Sequence, residues 1–298
     1  MPTVLVTGAS RGIGRSIVTY LAERGWDVIA AVRTEGDARQ FDRLPRVSAI
    51  LLDVTDDDQV AGLPDSIPGR LDAVVNNAGI AVSGPLEALS AAEVRRQLDV
   101  NVVGQLAVTA AVLPLLRESR GRIVFISSVN GKVSLPLLGA YSASKFALEA
   151  AADALRVELR PWGIAVSVVE PAQTDTDLWR QADRSVDEME AAMSPRHRAL
   201  YARHIAGMRK SIPMSQRLAV HPDRVARVVE KALTAPSPRP RYPVGIGPAV
   251  QMALLPKLPT RLRDLLLSKM FGQRLARRCP GERVRQTQPR RTAGILRL

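Results

Sequence analysis

Tyr141 and Lys145 stand four residues apart in the run YSASK, where a stretch with helical spacing begins. Residues i and i+4 of a helix share a face, so a phenol and an ammonium would be neighbours there. A free phenol, with a pKa of about 10, exchanges protons poorly at neutral pH. A nearby cation favours the phenolate and makes the tyrosine a candidate general acid/base. An isolated pair of this kind is usually no more than a solvated helix face. Its chemistry therefore depends on what the remaining chain builds around it.

Short apolar runs alternate with helical patterns through the first 170 residues. TVLVT (3–7), DVIAAV (27–32), VSAILL (47–52), DAVVNN (72–77), RIVFIS (122–127) and AVSVVE (165–170) read as strands. Gly14–Arg24, Ala91–Leu116 and Tyr141–Leu159 read as helices between them. This alternation predicts an α/β fold: a Rossmann-type, doubly wound parallel sheet in three layers. The nearly continuous apolar character of the strands fits burial on both faces. A helix opening at His221-Pro222-Asp223 and running through Leu233, a short last strand in RPRYPVGIG, and an amphipathic helix over 260–271 follow.

TGASRGIG (7–14) comes after the first strand and opens the first helix, the setting a dinucleotide-binding loop requires. Its glycines permit a tight turn and let backbone N–H groups approach a pyrophosphate at the helix N-terminus. Gly8, Ser10, Arg11, Gly12, Ile13 and Gly14 are the candidate contacts. At the end of the second strand an acidic residue would hold a free ribose hydroxyl, and an arginine would suit a 2′-phosphate. The chain has Ala31-Val32-Arg33-Thr34, with no carboxylate before Glu35. Arg33, with Arg11 nearby, predicts a preference for NADP(H) over NAD(H), without excluding the latter.

Taken together, TGASRGIG (7–14), DV (53–54), NNAG (76–79), NVVG (101–104), ISS (126–128) and YSASK (141–145) resemble, in order and spacing, the short-chain dehydrogenase/reductase family in its single-domain branch. The resemblance covers roughly residues 3–250 and implies an oxidoreductase interconverting an alcohol and its carbonyl. By that resemblance Tyr141 exchanges a proton with the substrate oxygen, and Lys145 lowers its pKa and bonds the nicotinamide ribose. Ser128, which the family spacing selects over Ser127, bonds the same oxygen. Asn101 holds a water that relays protons between Lys145 and solvent. Asp53 and Val54 meet the adenine; Asn77, Ala78 and Gly79 line the adenosine ribose. The backbone of Thr174 and the side chain of Thr176 hold the carboxamide, and Ala172 stands where the family usually has glycine. Residues 177–221 occupy the place of the variable substrate lid. There Leu178, Trp179, Met189, Met193, Tyr201, Met208 and Met214 either line the substrate site or pack the lid helices together. Segment 221–271 resembles the C-terminal extension of hydroxysteroid and retinol dehydrogenase members. It implies a lipophilic alcohol or ketone of steroid, retinoid or fatty type. The family also implies a homodimer or tetramer.

Charge is unevenly placed along the 298 residues. Twelve basic and two acidic residues lie between Lys257 and Leu298, so this segment holds ten of the thirteen net positive charges. The expected organisation is a catalytic domain over 1–250 with its lid, an amphipathic extension over 251–272 and a basic, disordered tail over 273–298. No recognition motif accompanies the tail, so nucleic acid is not an expected partner. Peripheral contact with an anionic membrane through Leu262, Leu265, Leu266, Met270 and Phe271 is the less favoured reading. His197, His204 and His221 match no metal spacing, so no metal is expected. No uninterrupted apolar run reaches the roughly 18 residues of a membrane span. Cys279 is the single cysteine, and no basic, apolar leader precedes the first strand, so a reducing, cytoplasmic setting is expected. Two other functions compete: a catalytically quiet NADP(H)-binding sensor or scaffold, and an interaction protein acting through its tail. The first would be expected to lack Tyr141, Lys145 or Ser128, and all three are present.

Overall fold

Valine, isoleucine, leucine and alanine fill the short runs between turns, and those runs pair into one parallel sheet. A computed structural model describes residues 1–176, 182–245 and 255–271. Its strands are β1 (Thr3–Thr7), β2 (Asp27–Val32), β3 (Val47–Leu51), β4 (Ala73–Asn76), β5 (Arg122–Ile126), β6 (Ala165–Pro171) and β7 (Arg241–Val244). They lie in the order β3-β2-β1-β4-β5-β6-β7, each pairing parallel. The direction of winding reverses between β1 and β4, and ligands bind at such a switch point beyond the carboxyl ends of the strands. The central strands are buried almost throughout, whereas β3 at the edge leaves Leu51 47% exposed.

In chain order the helices are α1 (Gly12–Ala22), α2 (Glu35–Ala38), α3 (Asp57–Ala61), α4 (Ala91–Leu98), α5 (Gly104–Ser119), α6 (Gly139–Glu158), α7 (Ala182–Ala192), α8 (Pro195–Arg217), α9 (Pro222–Thr234) and α10 (Thr260–Met270). One face of the sheet is covered by α1 and α9. Ile17, Val18 and Leu21 meet Val225, Ala226, Val229 and Leu233, which recur at helical spacing. His221 caps α9, Pro222 starts it, and Ser16 Oγ donates to Asp223 Oδ1 at 2.7 Å to bind it to α1. The opposite face is covered by α5 and α6 through Val108, Val112, Leu116, Leu148 and Ala152. Each large aliphatic side chain so buried stabilises the fold by roughly 1.5–3 kcal/mol.

The helix expected over Ala91–Leu116 is interrupted. Between α4 and α5, Asp99–Val103 forms one wide π turn with Asn101 inside it. The continuous segment Ala91–Ser119 is long and apolar enough to cross a membrane by length and composition. Here α5 lies against the sheet, with Val108, Val112 and Leu116 fully buried.

A third cluster holds the C-terminal helices. Leu137 packs with Val186, Met189, Met193, Ile205 and Ile212, and Tyr201 and Met208 lie against them. Four of the seven proposed lid residues therefore pack helix on helix. Met214 departs from both sequence readings, since it is 59% exposed; Leu178 and Trp179 lie outside the described residues. Arg209 ties the hairpin together, with Nη2 at 2.7 Å from Asp187 and 2.8 Å from Glu190. On α10 the inward side is Leu267 and Phe271, while Leu262 and Leu266 face outward. The Met270 side chain and residues 273–298 fall outside the described residues.

The docking of α10 depends on Gly207 in α8. A Cβ there would lie 2.2 Å from the backbone oxygen of Phe271, which cannot swing aside as a side chain could. Gly207→Ala is therefore expected to cost about 1–3 kcal/mol and to lower Tm with unchanged far-UV circular dichroism. An unaltered Tm would show that α10 does not rest on α8.

Candidate active site

The switch point is stitched by one threonine and one asparagine. Thr7 Oγ1, at the end of β1, accepts from the N–H groups of Asn77 and Ala78 at 3.0 Å each. Asn77 Nδ2 returns two bonds, to Thr7 O at 2.9 Å and Gly8 O at 3.0 Å. The Asn77 side chain is thus spent on holding the loop, and Ala78 is held by its backbone. Gly8 has φ +62°, a left-handed conformation that favours glycine. A Cβ on Gly14 would lie 2.2 Å from Gly8 O and 2.5 Å from Asn77 Nδ2, so helix and loop close only without one. A Cβ on Gly12 would meet the Thr176 methyl at 3.2 Å, which brings the loop after β6 to the same place.

This cradle fits a dinucleotide pyrophosphate. Arg11 caps α1 without a side-chain bond, and the first turn holds no acidic residue. The unsatisfied N–H groups at its positive end are left for an anion. Ser10 is half-buried in the loop, and Ile13 packs its side chain on the core. Past β6, Ala172 N–H still bonds Val244 O at 3.0 Å, so alanine in place of glycine continues the ladder toward β7. Thr174 is 2% exposed, with Oγ1 bonded to Ala172 O at 3.1 Å and its carbonyl accepting from Thr176 N–H at 2.8 Å; Thr176 faces the glycine loop.

Arg33, Asp53, Thr55, Asp56, Asp57, Asp58 and Gln59 line a groove of about 750 Å³. Burial alone would raise the Asp53 carboxyl, but the Thr55 N–H and hydroxyl and the positive Arg33 outweigh it and hold it below the usual carboxylate range. Among the described residues neither the Arg11 nor the Arg33 guanidinium makes an ion pair or hydrogen bond, so both are available. Val54 is buried beneath the groove. A Cβ on Gly104 would lie 2.5 Å from Val54 O, which gives the glycine of NVVG its reason.

The candidate catalytic groups lie just past β5 and on α6. Ser128 caps a single turn after β5, its Oγ accepting from Asn130 N–H at 3.2 Å, and it lies within interaction range of the Tyr141 phenol. Ser127 is 4% exposed, and its hydroxyl has no hydrogen bond among the described residues. Lys145 is buried with Nζ bonded to Ile126 O at 2.9 Å and 5.9 Å from the centre of the Tyr141 ring. Burial pushes the Tyr141 phenol above its ordinary value, and Ser128 only partly opposes this. That corrects the simplest expectation from the sequence: without ligand, dehydration of the phenolate governs, and the lysine is turned to a carbonyl. Burial also pushes the Lys145 amine down to about 8, with Glu149 pulling it back up.

Asn101 does more than its motif announced. Its Oδ1 accepts from Ile80 N–H at 2.8 Å, and its Nδ2 donates to Ile80 O at 2.9 Å and Ser144 Oγ at 3.1 Å. Ser144 Oγ in turn donates to Tyr141 O at 2.7 Å. Gly79 packs against the Asn101 amide. Two residues that sequence reading passed over act beside it. Gln97 bonds Ile80 O at 2.9 Å and receives Val82 N–H at 2.6 Å, and Gln105 bonds Ala78 O at 2.6 Å. Polar residues at 97, 101 and 105, spaced by four in an apolar helical window, were the available signal.

The chain belongs to the short-chain dehydrogenase family: the family model described as short chain dehydrogenase matches residues 2–187. It is an NAD(P)-dependent oxidoreductase of that family. Human retinol dehydrogenase 5 is 35% identical over 280 residues, covering 89% of this chain and 87% of the relative. An NADPH-dependent 3-dehydrocapnine reductase of Ornithobacterium rhinotracheale is 31% identical over 281 residues, covering 90% and 97%. Among solved structures, a point variant of the actinorhodin polyketide ketoreductase with NADPH superposes with a TM-score of 0.69 at 27% identity, covering 83% of this chain and 96% of that one.

Proposed function

We propose that the protein is an NADP(H)-preferring oxidoreductase that interconverts a lipophilic primary or secondary alcohol and its carbonyl, with Tyr141 as general acid/base. The observation that carries this reading is the meeting of Tyr141, Ser128 and Lys145 at the carboxyl end of β5, beside the glycine cradle. The bound dinucleotide supplies or accepts hydride. The chain's own part is to handle the proton and the developing charge on oxygen. A phenol raised by burial stays protonated at neutral pH and is poised to donate to a carbonyl oxygen. Ser128 fixes that oxygen from a second direction. Lys145, charged below about pH 8, steadies the phenolate that the transfer leaves. Because the Asn101 side chain is committed to Ile80 and Ser144, a relaying water would use the main chain of the π turn.

Arg11 and Arg33 supply the cations a 2′-phosphate needs, and the NADPH named for two of the relatives above supports this choice. Asp56, Asp57 and Asp58 in the same groove work against it, so Arg33 carries the balance. The substrate class rests on the similarity to a retinol dehydrogenase. Val103, Phe146 and Val157, exposed on the π turn and α6, are the surface for assembly into a dimer or tetramer. Residues 1–250 as the catalytic unit, a separate 251–272 extension and a cytoplasmic location complete the proposal.

With NADPH and a panel of steroid, retinoid and fatty ketones, turnover is expected on the lipophilic members. Tyr141→Phe should lower kcat by roughly 10²–10⁴ with NADPH affinity kept; turnover confined to small polar carbonyls, or an unchanged kcat, would refute the reading. The Lys145 shift is downward, so the ammonium is present below about pH 8 and lost above it. The reduction rate should therefore be level through neutrality and fall above about 8, and a rate still climbing at higher pH would contradict the assignment. Arg33→Asp should move the ratio of kcat/KM values toward NADH; an unaltered ratio would remove Arg33 from cofactor choice.

A further inference from the structure

One helical turn beyond Lys145, Glu149 is 7% exposed, and Glu170 on β6 is 2% exposed. Buried carboxylates survive only with cations and hydrogen bonds around them. Arg241, the first residue of β7, forks onto α6, with Nε at 3.0 Å from Glu149 Oε2 and Nη2 at 2.7 Å from Asp153 Oδ2. The same Nε lies 3.4 Å from Glu170 Oε1. Lys132, four residues past Ser128, closes the other end, its Nζ donating to Glu170 Oε2 at 2.7 Å. On the outer side Arg156 pairs with Asp153. The set joins the loop of Ser128 to the helix of Tyr141 through the last two strands.

Glu149 is the member that reaches inward. Its Oε1 has no hydrogen bond among the described residues. A Cβ on Gly131 would lie 3.3 Å from that oxygen and 2.9 Å from the equally unbonded Ser127 Oγ. Lys145 Nζ is bonded to Ile126 O, the residue before Ser127. The carboxylate and the ammonium thus occupy one buried face of α6 and converge on the end of β5.

We propose that Glu149, fixed by Arg241, is a positioning residue for Lys145: its buried carboxylate keeps the ammonium charged and directed at the end of β5. The proposal rests on the reading of Lys145 as the partner of Tyr141. Burial strips Lys145 of proton affinity, and Glu149 is the charge that opposes the loss. The other charged groups around Glu149, namely Glu170, Lys132, Arg241 and Asp153, largely balance one another, so removing the Glu149 charge changes the field at Lys145 in a defined direction.

The test is an NMR titration of the full chain without cofactor, labelled with ¹³C-lysine. The chain has six lysines, and the Lys145 signal is identified by its absence in Lys145→Arg. Glu149→Gln should lower the Lys145 midpoint by roughly one pH unit, the effect of removing an opposite charge at such range. Glu149→Asp, which keeps the charge, should restore most of it. Arg241→Gln carries the opposite sign, because Glu149 is left less neutralised and the midpoint rises; it decides the matter if Glu149→Gln does not fold. Asp153→Asn breaks the outer arm of the same fork and should lower Tm while leaving the midpoint in place. An unchanged midpoint in Glu149→Gln or, if that variant does not fold, in Arg241→Gln, or an equal shift in Asp153→Asn, overturns the proposal. The alkaline fall of the reduction rate should move with the midpoint in Glu149→Gln. If the midpoint moves and the rate profile does not, the coupling stands and the role of Lys145 beside Tyr141 falls.

Discussion

The bonds between Thr7 and Asn77 are the constraint on which the rest of the molecule depends. They sit where the sheet reverses its winding, at the one boundary that a parallel sheet leaves open beyond its strand ends. Four bonds from two side chains fix the glycine loop against the end of β4. The approach is so close that Gly14 cannot carry a side chain. Gln97, Asn101 and Gln105 then hold the next stretch, Ala78 to Val82, from α4, the π turn and α5. A cofactor cradle and the stretch beside it are thereby set by hydrogen bonds that no ligand needs to supply.

Around that frame the fold exchanges solvation for control of protons. Tyr141 and Lys145 are both drawn away from their solution behaviour, the phenol toward keeping its proton and the amine toward losing it. Those two shifts share one cause, the removal of water from the end of β5. They also oppose the simple picture in which the lysine's charge alone tunes the tyrosine. What limits the loss at Lys145 is a carboxylate one turn away, itself compensated from β7. The buried charges on this one helix are therefore compensated from the last strand, almost one hundred residues further along the chain.

Much of this was legible without coordinates. Strand positions agree to within a residue or so because buried parallel strands are apolar on both faces and bounded by turns. The opening of α9 at Pro222 was legible because His221, Pro222 and Asp223 state the cap in local chemistry. A kink at Asn101 was legible as one alternative, but the π turn over Asp99–Val103 and the bonds that commit the Asn101 side chain to Ile80 were not, because Ile80 lies on a separate segment. Which side of α10 turns inward was also not legible: Leu267 and Phe271 are buried while Leu262 and Leu266 are exposed, and Phe271 packs its backbone against Gly207 of α8.

The sequence by itself determined the order of the strands and helices and the glycine loop, and it singled out Tyr141, Lys145, Ser128 and Asn101 as a candidate set, since local spacing and residue chemistry carry these signals. Only the tertiary structure decided how the set is wired. Gln97, Gln105, Glu149, Glu170 and Arg241 are ordinary residues along the chain, and their roles come from burial and from contacts across long sequence separations. Desolvation and long-range charge pairing depend on which groups fold against each other, and no short-range pattern carries that information.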